Sequence, residues 1–309
     1  MSDYPEPIPG HGPVKVPSGK RRPKQNGWFR KAIAVCSALA LMAGAAFGLM
    51  FLRETMTPKP ITFVYRDQTL TAKEGVQVNA YQLTGFGEDE QGRICYQENG
   101  CRAKAGIDVS FYQGEIDWPA VAADGVEFAM IRLGYRGYTE GTLQMDSRFE
   151  ENIRGALEAG LEVGVYFFSQ AITPEEAEAE ANFVLEAIRG HDVTYPVAYD
   201  WEFVTPGKGA RTDAMDGQTL TQCAQAFCRT IAQAGYAPLV YFNQDLGYLT
   251  YDLSQLAEFS FWLAEYNGAP HFYYGFSLWQ YTHGGSVAGI EGSVDWNLDL
   301  RPAVAQNVQ

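Results

Sequence analysis

YPVAYDWEF, Tyr195 to Phe203, places five apolar or aromatic residues ahead of two acids, Asp200 and Glu202, with only Trp201 between them. An apolar run of this length, ending in polar residues, reads as a strand covered on both faces, the kind found in parallel sheets. Similar runs recur on both sides of it. They are AGIDVS (105–110), EFAMIRLGY (127–135), EVGVYFFSQ (162–170), PLVYFNQ (238–244), FSFWLAEYN (259–267), FSLWQYT (276–282) and GSVDWNL (292–298). Helical patterns fill the earlier gaps. Ser147 to Ala159 carries Phe149, Ile153 and Leu157 at four-residue spacing; Pro174 to Ile188 opens on the capped-helix signature Thr-Pro-Glu-Glu; Gln218 to Ala234 is a third. The last three gaps are too short for crossover helices. Eight strands that alternate with helices only at first predict an α/β, TIM-like (β/α) barrel with irregular last strands, of the (β/α)5(β)3 type. An open doubly wound sheet is the alternative. It would need a phosphate loop at its first turn, and GIDVSFYQG has neither the glycines nor the lysine of one.

Barrel chemistry collects where strands end. Asp108 lies on the first strand, Asp200 and Glu202 close the fourth, and Asp295 lies on the last. Residues two apart on a strand share a face, so Asp200 and Glu202 point together into the mouth. Carboxylates crowded away from water cannot all ionise, and at least one keeps its proton toward neutral pH. A protonated carboxyl can donate to a leaving oxygen, while an ionised neighbour stabilises developing positive charge. Glycoside hydrolysis needs both. The aromatic residues Tyr112, Tyr166, Phe168, Tyr199, Trp201, Trp262, Tyr266, Trp279 and Tyr281 fall on or beside the same strand ends, and aromatic faces suit sugar rings. Taken singly, each is as readily a core residue, and a lone strand-end Asp is as readily a helix cap. Four acids gathered on three strand ends argue for a site.

The formal net charge is −14, unevenly spread: residues 1–31 hold seven Lys/Arg and only two acids, Asp3 and Glu6. The acidic remainder is a poor polyanion binder, so nucleic acid is not an expected partner. Residues 1–31 read as a basic, disordered, cytoplasmic tail. Ala32 to Leu52 is a stretch of 21 residues without a charge, long enough for a transmembrane helix. The positive flank predicts a single-pass cell-membrane protein with its catalytic part outside; a cleaved export signal is the alternative. Residues 53–103 read as a stalk followed by a small β module or decorated linker, and 104–309 as the barrel. Cys95 and Cys101 flank a turn and are candidates for a hairpin disulfide, whereas Cys223 and Cys228 read as buried helical thiols. No Cys/His set has metal-ligand spacing, so neither a metal nor a cofactor is expected.

GIDVSFYQGEIDW (106–118), DSRFEENIRGALEAGLEVGVYFFSQ (146–170), PVAYDWE (196–202), FWLAEY (261–266) and WQYTHGGSVAGIEGSVDWN (279–297) together resemble, in order, the family 25 glycoside hydrolases, lysozymes of the Chalaropsis type. The resemblance spans residues 104–300. It implies cleavage of the β-1,4 bond between N-acetylmuramic acid and N-acetylglucosamine of peptidoglycan, with retention by acetamido assistance. It implies Glu202 as general acid, Asp200 supporting the acetamido group, and Asp108 and Asp295 completing the acidic site. Tyr166, Trp262, Tyr266 and Gln280 would then line the sugar subsites. One departure is Tyr166-Phe167-Phe168, where many members carry Tyr-His-Phe.

Overall fold

The computed structural model describes residues 27–56, 60–204 and 209–301. The chain divides into two compact units, Met1–Ile61 and Thr62–Gln309. The first contains the helix α1 (Gly27–Met56), which covers the uncharged segment 32–52. Among the described residues, no helix is long and apolar enough to cross a membrane, so the expected transmembrane span finds no support there. Residues 1–26 of the expected tail and 57–59 of the expected stalk lie outside the described residues.

The second unit opens with a hairpin, β1 (Thr62–Tyr65) and β2 (Gln68–Thr71), and a three-stranded sheet, β3 (Phe86–Glu88), β4 (Ile94–Glu98) and β5 (Cys101–Arg102). The barrel strands follow: β6 (Lys104–Val109), β7 (Phe128–Arg136), β9 (Glu162–Ser169), β10 (Val197–Trp201), β11 (Pro238–Asn243), β12 (Ser260–Ala264), β13 (Leu278–Gly285) and β14 (Val294–Asp299). A short β8 (Leu143–Met145) extends β7 as a hairpin that the sequence pattern does not announce. The ring closes because β6 pairs with both β14 and β7. Every neighbour in the ring is parallel except β14, which runs antiparallel to β13 and β6. That single reversal is the irregularity foreshadowed by the short last connections.

The helices α2 (Trp118–Ala123), α3 (Phe149–Glu158), α4 (Pro174–Ala187) and α5 (Gly217–Gln233) have local causes. Thr173 caps α4 by accepting from the Glu176 N–H, with Pro174 in the first turn, and Asp216 caps α5 by accepting from the Thr219 N–H. From α3 onward they pack on the outside of β7 to β11.

Alternation along each strand separates two apolar layers. Val197, Tyr199 and Trp201 face the outer core, and Ala198 faces the barrel interior with Phe128, Met130, Leu239, Trp262 and Leu278. The apolar run of the opening motif is thus a strand buried on both faces. Gly106 and Gly164 lie in this interior because it has no room for more: a Cβ there would meet the Phe128 ring at 2.4 Å and the Met130 sulfur at 2.6 Å.

Among the described residues no α-helix follows β11 to cover β12 to β14, and residues 62–103 cover the outside of these strands. Phe86 packs edge-on against Trp279 with ring centroids 5.3 Å apart, and Tyr96 is buried against Phe86 at 4.4 Å. The Arg93 guanidinium lies 4.9 Å over the Trp296 ring. Phe63 of β1 stacks on Tyr273 at 4.3 Å, and Val78 bridges Tyr274. The segment belongs to the same compact unit as the barrel. The expected Cys95–Cys101 bridge is not formed: the β4–β5 register sets Cys101 opposite Glu98, displacing it from Cys95, and both are free thiols.

Candidate active site

Residues 108, 200 and 295 are inward positions near the C-terminal ends of the parallel strands, and Glu202 follows one step beyond β10. Asp108 and Asp295 sit directly opposite each other in the β6–β14 ladder. Like charges in that relation repel. Gln280, inward-facing on β13, relieves them: its Nε2 donates to Asp108 Oδ2 at 2.8 Å and to Asp295 Oδ2 at 3.1 Å. Its Oε1 in turn accepts from the hydroxyls of Tyr241 and Tyr266, both at 2.9 Å. Asn297 completes the support by donating to Asp108 Oδ2 at 2.8 Å while accepting from the Trp262 indole N–H at 2.8 Å.

Electrostatics confirm the gathering. Burial and then the charge of Asp295 push Asp108 well above the usual carboxylate range, against the pull of its two amide donors. Burial, then Glu202 and Asp108, do the same to Asp200. Glu202 is reachable by solvent at the mouth, yet its surroundings exclude enough water, with Asp295 adding negative charge, to raise it too. Asp295 is raised by burial and eased by His283. The donors distinguish the buried pair: Asp108 accepts two amide N–H groups, whereas Asp200 Oδ1 is buried with no hydrogen-bond partner. The four predicted acids therefore share one site, and Asp200 presents an unused acceptor within it.

The aromatic expectations divide by strand parity. Tyr266 is 49% exposed at the mouth, Tyr112 is 74% exposed on the loop after β6, and Tyr166 is half-buried, edge-on to Trp262. Trp262 is only 2% exposed, with its N–H already used by Asn297, so it props the site from within the barrel and offers no ring face at the surface. Tyr199, Trp201, Trp279 and Tyr281 face the outer core and are corrected as sugar contacts. Their odd numbers, against the even-numbered acids of the same strands, already carried that signal for β10.

Tyr241, Asn297 and Arg132 escaped the sequence reading. Asn297 sits two positions after Asp295, hence on the same face, and was readable by the same rule. Arg132, inward on β7, gave no signal. Its Nε donates to buried Asp146 Oδ2 at 2.7 Å, and its guanidinium lies 5.0 Å over Phe111 and 5.3 Å over Tyr112. Its positive charge pulls Asp200 and Tyr166 downward, against the surrounding acids.

Burial and the neighbouring Glu202 and Asp108 thus disfavour the charged form of Asp200. A group whose folded pKa is raised contributes stability below its unfolded pKa, and that contribution is lost as pH rises through the folded value. Asp200→Asn is expected to melt higher than the native chain at pH 7, by about 2–4 °C for each kcal/mol relieved, with the gain vanishing near pH 4. Thermal melts at the two pH values check this.

The family model for glycosyl hydrolases family 25 matches residues 107–290. Lysozyme M1 of Streptomyces globisporus is 30% identical over 234 residues, covering 72% of this chain and 76% of that protein. The autolytic lysozyme of Clostridium acetobutylicum is 30% identical over 191 residues, covering 62% of this chain but 54% of its own length. The solved structure of the modular autolysin LytC from Streptococcus pneumoniae, in complex with a synthetic peptidoglycan ligand, superposes with a TM-score of 0.53 at 27% identity, covering 69% of this chain and 56% of that one. With the barrel, the four-carboxylate mouth and a family match across most of it, the chain belongs to family 25 of the glycosyl hydrolases and is a glycoside hydrolase of the lysozyme type.

Proposed function

We propose that the protein cleaves the β-1,4 bond between N-acetylmuramic acid and N-acetylglucosamine of peptidoglycan, with net retention, during remodelling of the cell wall. The observation that carries this reading is the Asp200–Glu202 pair: two mutually repelling carboxyls with raised pKa, one with an unpartnered buried acceptor and the other open to the mouth. Such a pair holds a proton between its members toward neutral pH. When the substrate's acetamido N–H meets Asp200, the anionic form is stabilised there and the proton rests on Glu202. The acetamido oxygen then attacks the anomeric carbon as the bond to the leaving oxygen breaks, and Glu202 protonates that oxygen. The resulting oxazolinium ring is opened by water, which Glu202 deprotonates. Asp108 and Asp295, bridged by Gln280, supply the negative field around the charge that develops. Tyr166 and Tyr266 flank the sugar, and Trp262 supports Tyr166 and Asn297 from below.

Digestion of purified peptidoglycan by the full chain, with mass analysis of the products, tests the bond. New muramic acid reducing ends are expected. Glucosamine ends or freed peptides would make it a different hydrolase, and no release at all would make it a glycan-binding protein.

The wall-remodelling role includes a membrane tether through residues 32–52, with the N-terminus cytoplasmic and the barrel outside. It is supported by the 21 uncharged residues and the preceding basic flank. The full chain should remain in the membrane fraction after an alkaline carbonate wash and should be cut by protease added outside intact cells. Release by the wash would remove the tether.

A further inference from the structure

We propose that Gln170 is a positioning residue for Glu202, acting as a side-chain continuation of the β9–β10 ladder past its end. This rests on the assignment of Glu202 as general acid. The ladder between these strands stops at Trp201, paired with Ser169. Glu202 therefore lies just beyond the last backbone pairing that holds β10 in the ring. Gln170, the next residue on the other side and fully buried, takes over. Its Nε2 donates to the Glu202 carbonyl at 3.3 Å and to the Ser169 carbonyl at 2.9 Å. Its Oε1 accepts from the buried Thr212 hydroxyl at 2.8 Å, and its own carbonyl accepts from Arg211 at 3.4 Å.

One amide thus ties together two backbone carbonyls, at the end of β9 and on the residue bearing the proposed acid, and the side chain of Thr212 ahead of α5. The anchor itself is firm. The Ser169 hydroxyl donates to Glu180 at 2.6 Å, Glu180 accepts from Arg136 at 2.6 Å, and Arg211 is paired with Glu176 at 2.7 Å. A buried glutamine with all its partners met is ordinarily a matter of stability alone. Here the partner is the peptide carbonyl of the residue that must deliver a proton. A displacement of about 1 Å at a reacting group costs on the order of a hundredfold in rate.

The experiment compares two leaving groups. Peptidoglycan needs a proton on its leaving oxygen, whereas an amino-sugar oligomer with a dinitrophenyl leaving group departs without one. Gln170→Ala, in the full chain, is expected to lose 10- to 100-fold in kcat on peptidoglycan with KM within twofold, while its first-turnover release of dinitrophenolate from the aryl substrate, read before the step in which Glu202 acts as base, stays within about threefold. Thr212→Val, which removes one tie and keeps the shape, should show the same selectivity with a smaller loss, and serves if Gln170→Ala does not fold. Equal losses on both substrates would reduce Gln170 to a fold-stabilising residue, and no loss on either would remove its role entirely. Glu202→Gln is the control. Should it lack the leaving-group selectivity, the general-acid assignment falls; should it show the selectivity while the other variants do not, only the inference about Gln170 falls.

Discussion

Glu202→Gln is expected to lower kcat on peptidoglycan by a factor of about 10³ or more while leaving the fold intact. General acid catalysis contributes about 10²–10⁴-fold, and losing the base that deprotonates the water opening the oxazolinium ring adds to it. Glutamine matches glutamate in shape, and Glu202 lies at the solvent-reachable mouth, so the substitution leaves no cavity. It also removes a group whose ionisation is disfavoured by burial and by Asp295. Reducing-end release, measured beside the melting temperature, checks both halves. Native-like release from a folded Glu202→Gln chain would end the mechanism proposed for Asp200 and Glu202, whatever the family.

The second large effect concerns residues 62–103. A chain beginning at residue 104, where the barrel strands start, is expected not to fold. Trp279, Tyr281 and Trp296 are buried on the outer side of β13 and β14, and there the covering layer consists of Phe86, Arg93 and Tyr96. Removing it would expose a contiguous aromatic face on strands that none of the described α-helices covers. The point variant Tyr96→Ala, at a position only 1% exposed, should cost about 3–5 kcal/mol, the scale for an aromatic residue deleted from a core. Denaturant unfolding of the variant and circular dichroism of the truncated chain read these effects. A cooperative unfolding transition in the truncated chain would show that the β module is an ornament.

The eight barrel strands, the helices over residues 149–158, 174–187 and 217–233 and the place of the irregular last strands followed from local pattern. So did the meeting of Asp108, Asp200, Glu202 and Asp295, because period-two alternation dictates which side chains face the barrel axis once a strand is recognised. The same alternation sends Tyr199, Trp201, Trp279 and Tyr281 to the outside, and reading the aromatics as a group hid this.

Other features depend on which strands become neighbours, and no local pattern encodes that. Gln280 bridges Asp108 and Asp295 only because β14 reverses direction and closes between β13 and β6. Arg132 influences Asp200 only through the packing of separate strands around one axis. Residues 62–103 show alternating strands in sequence but not the surface they cover, since that surface is the outer side of β12 to β14, formed some two hundred residues later. The one-dimensional chain thus decided which residues are strand, helix and inward-facing, through short-range sterics and hydrophobic period. Closure of the ring decided which inward groups touch, which carboxyl is left without a donor, and which segment shields the bare strands, because those depend on contacts between residues distant in the chain.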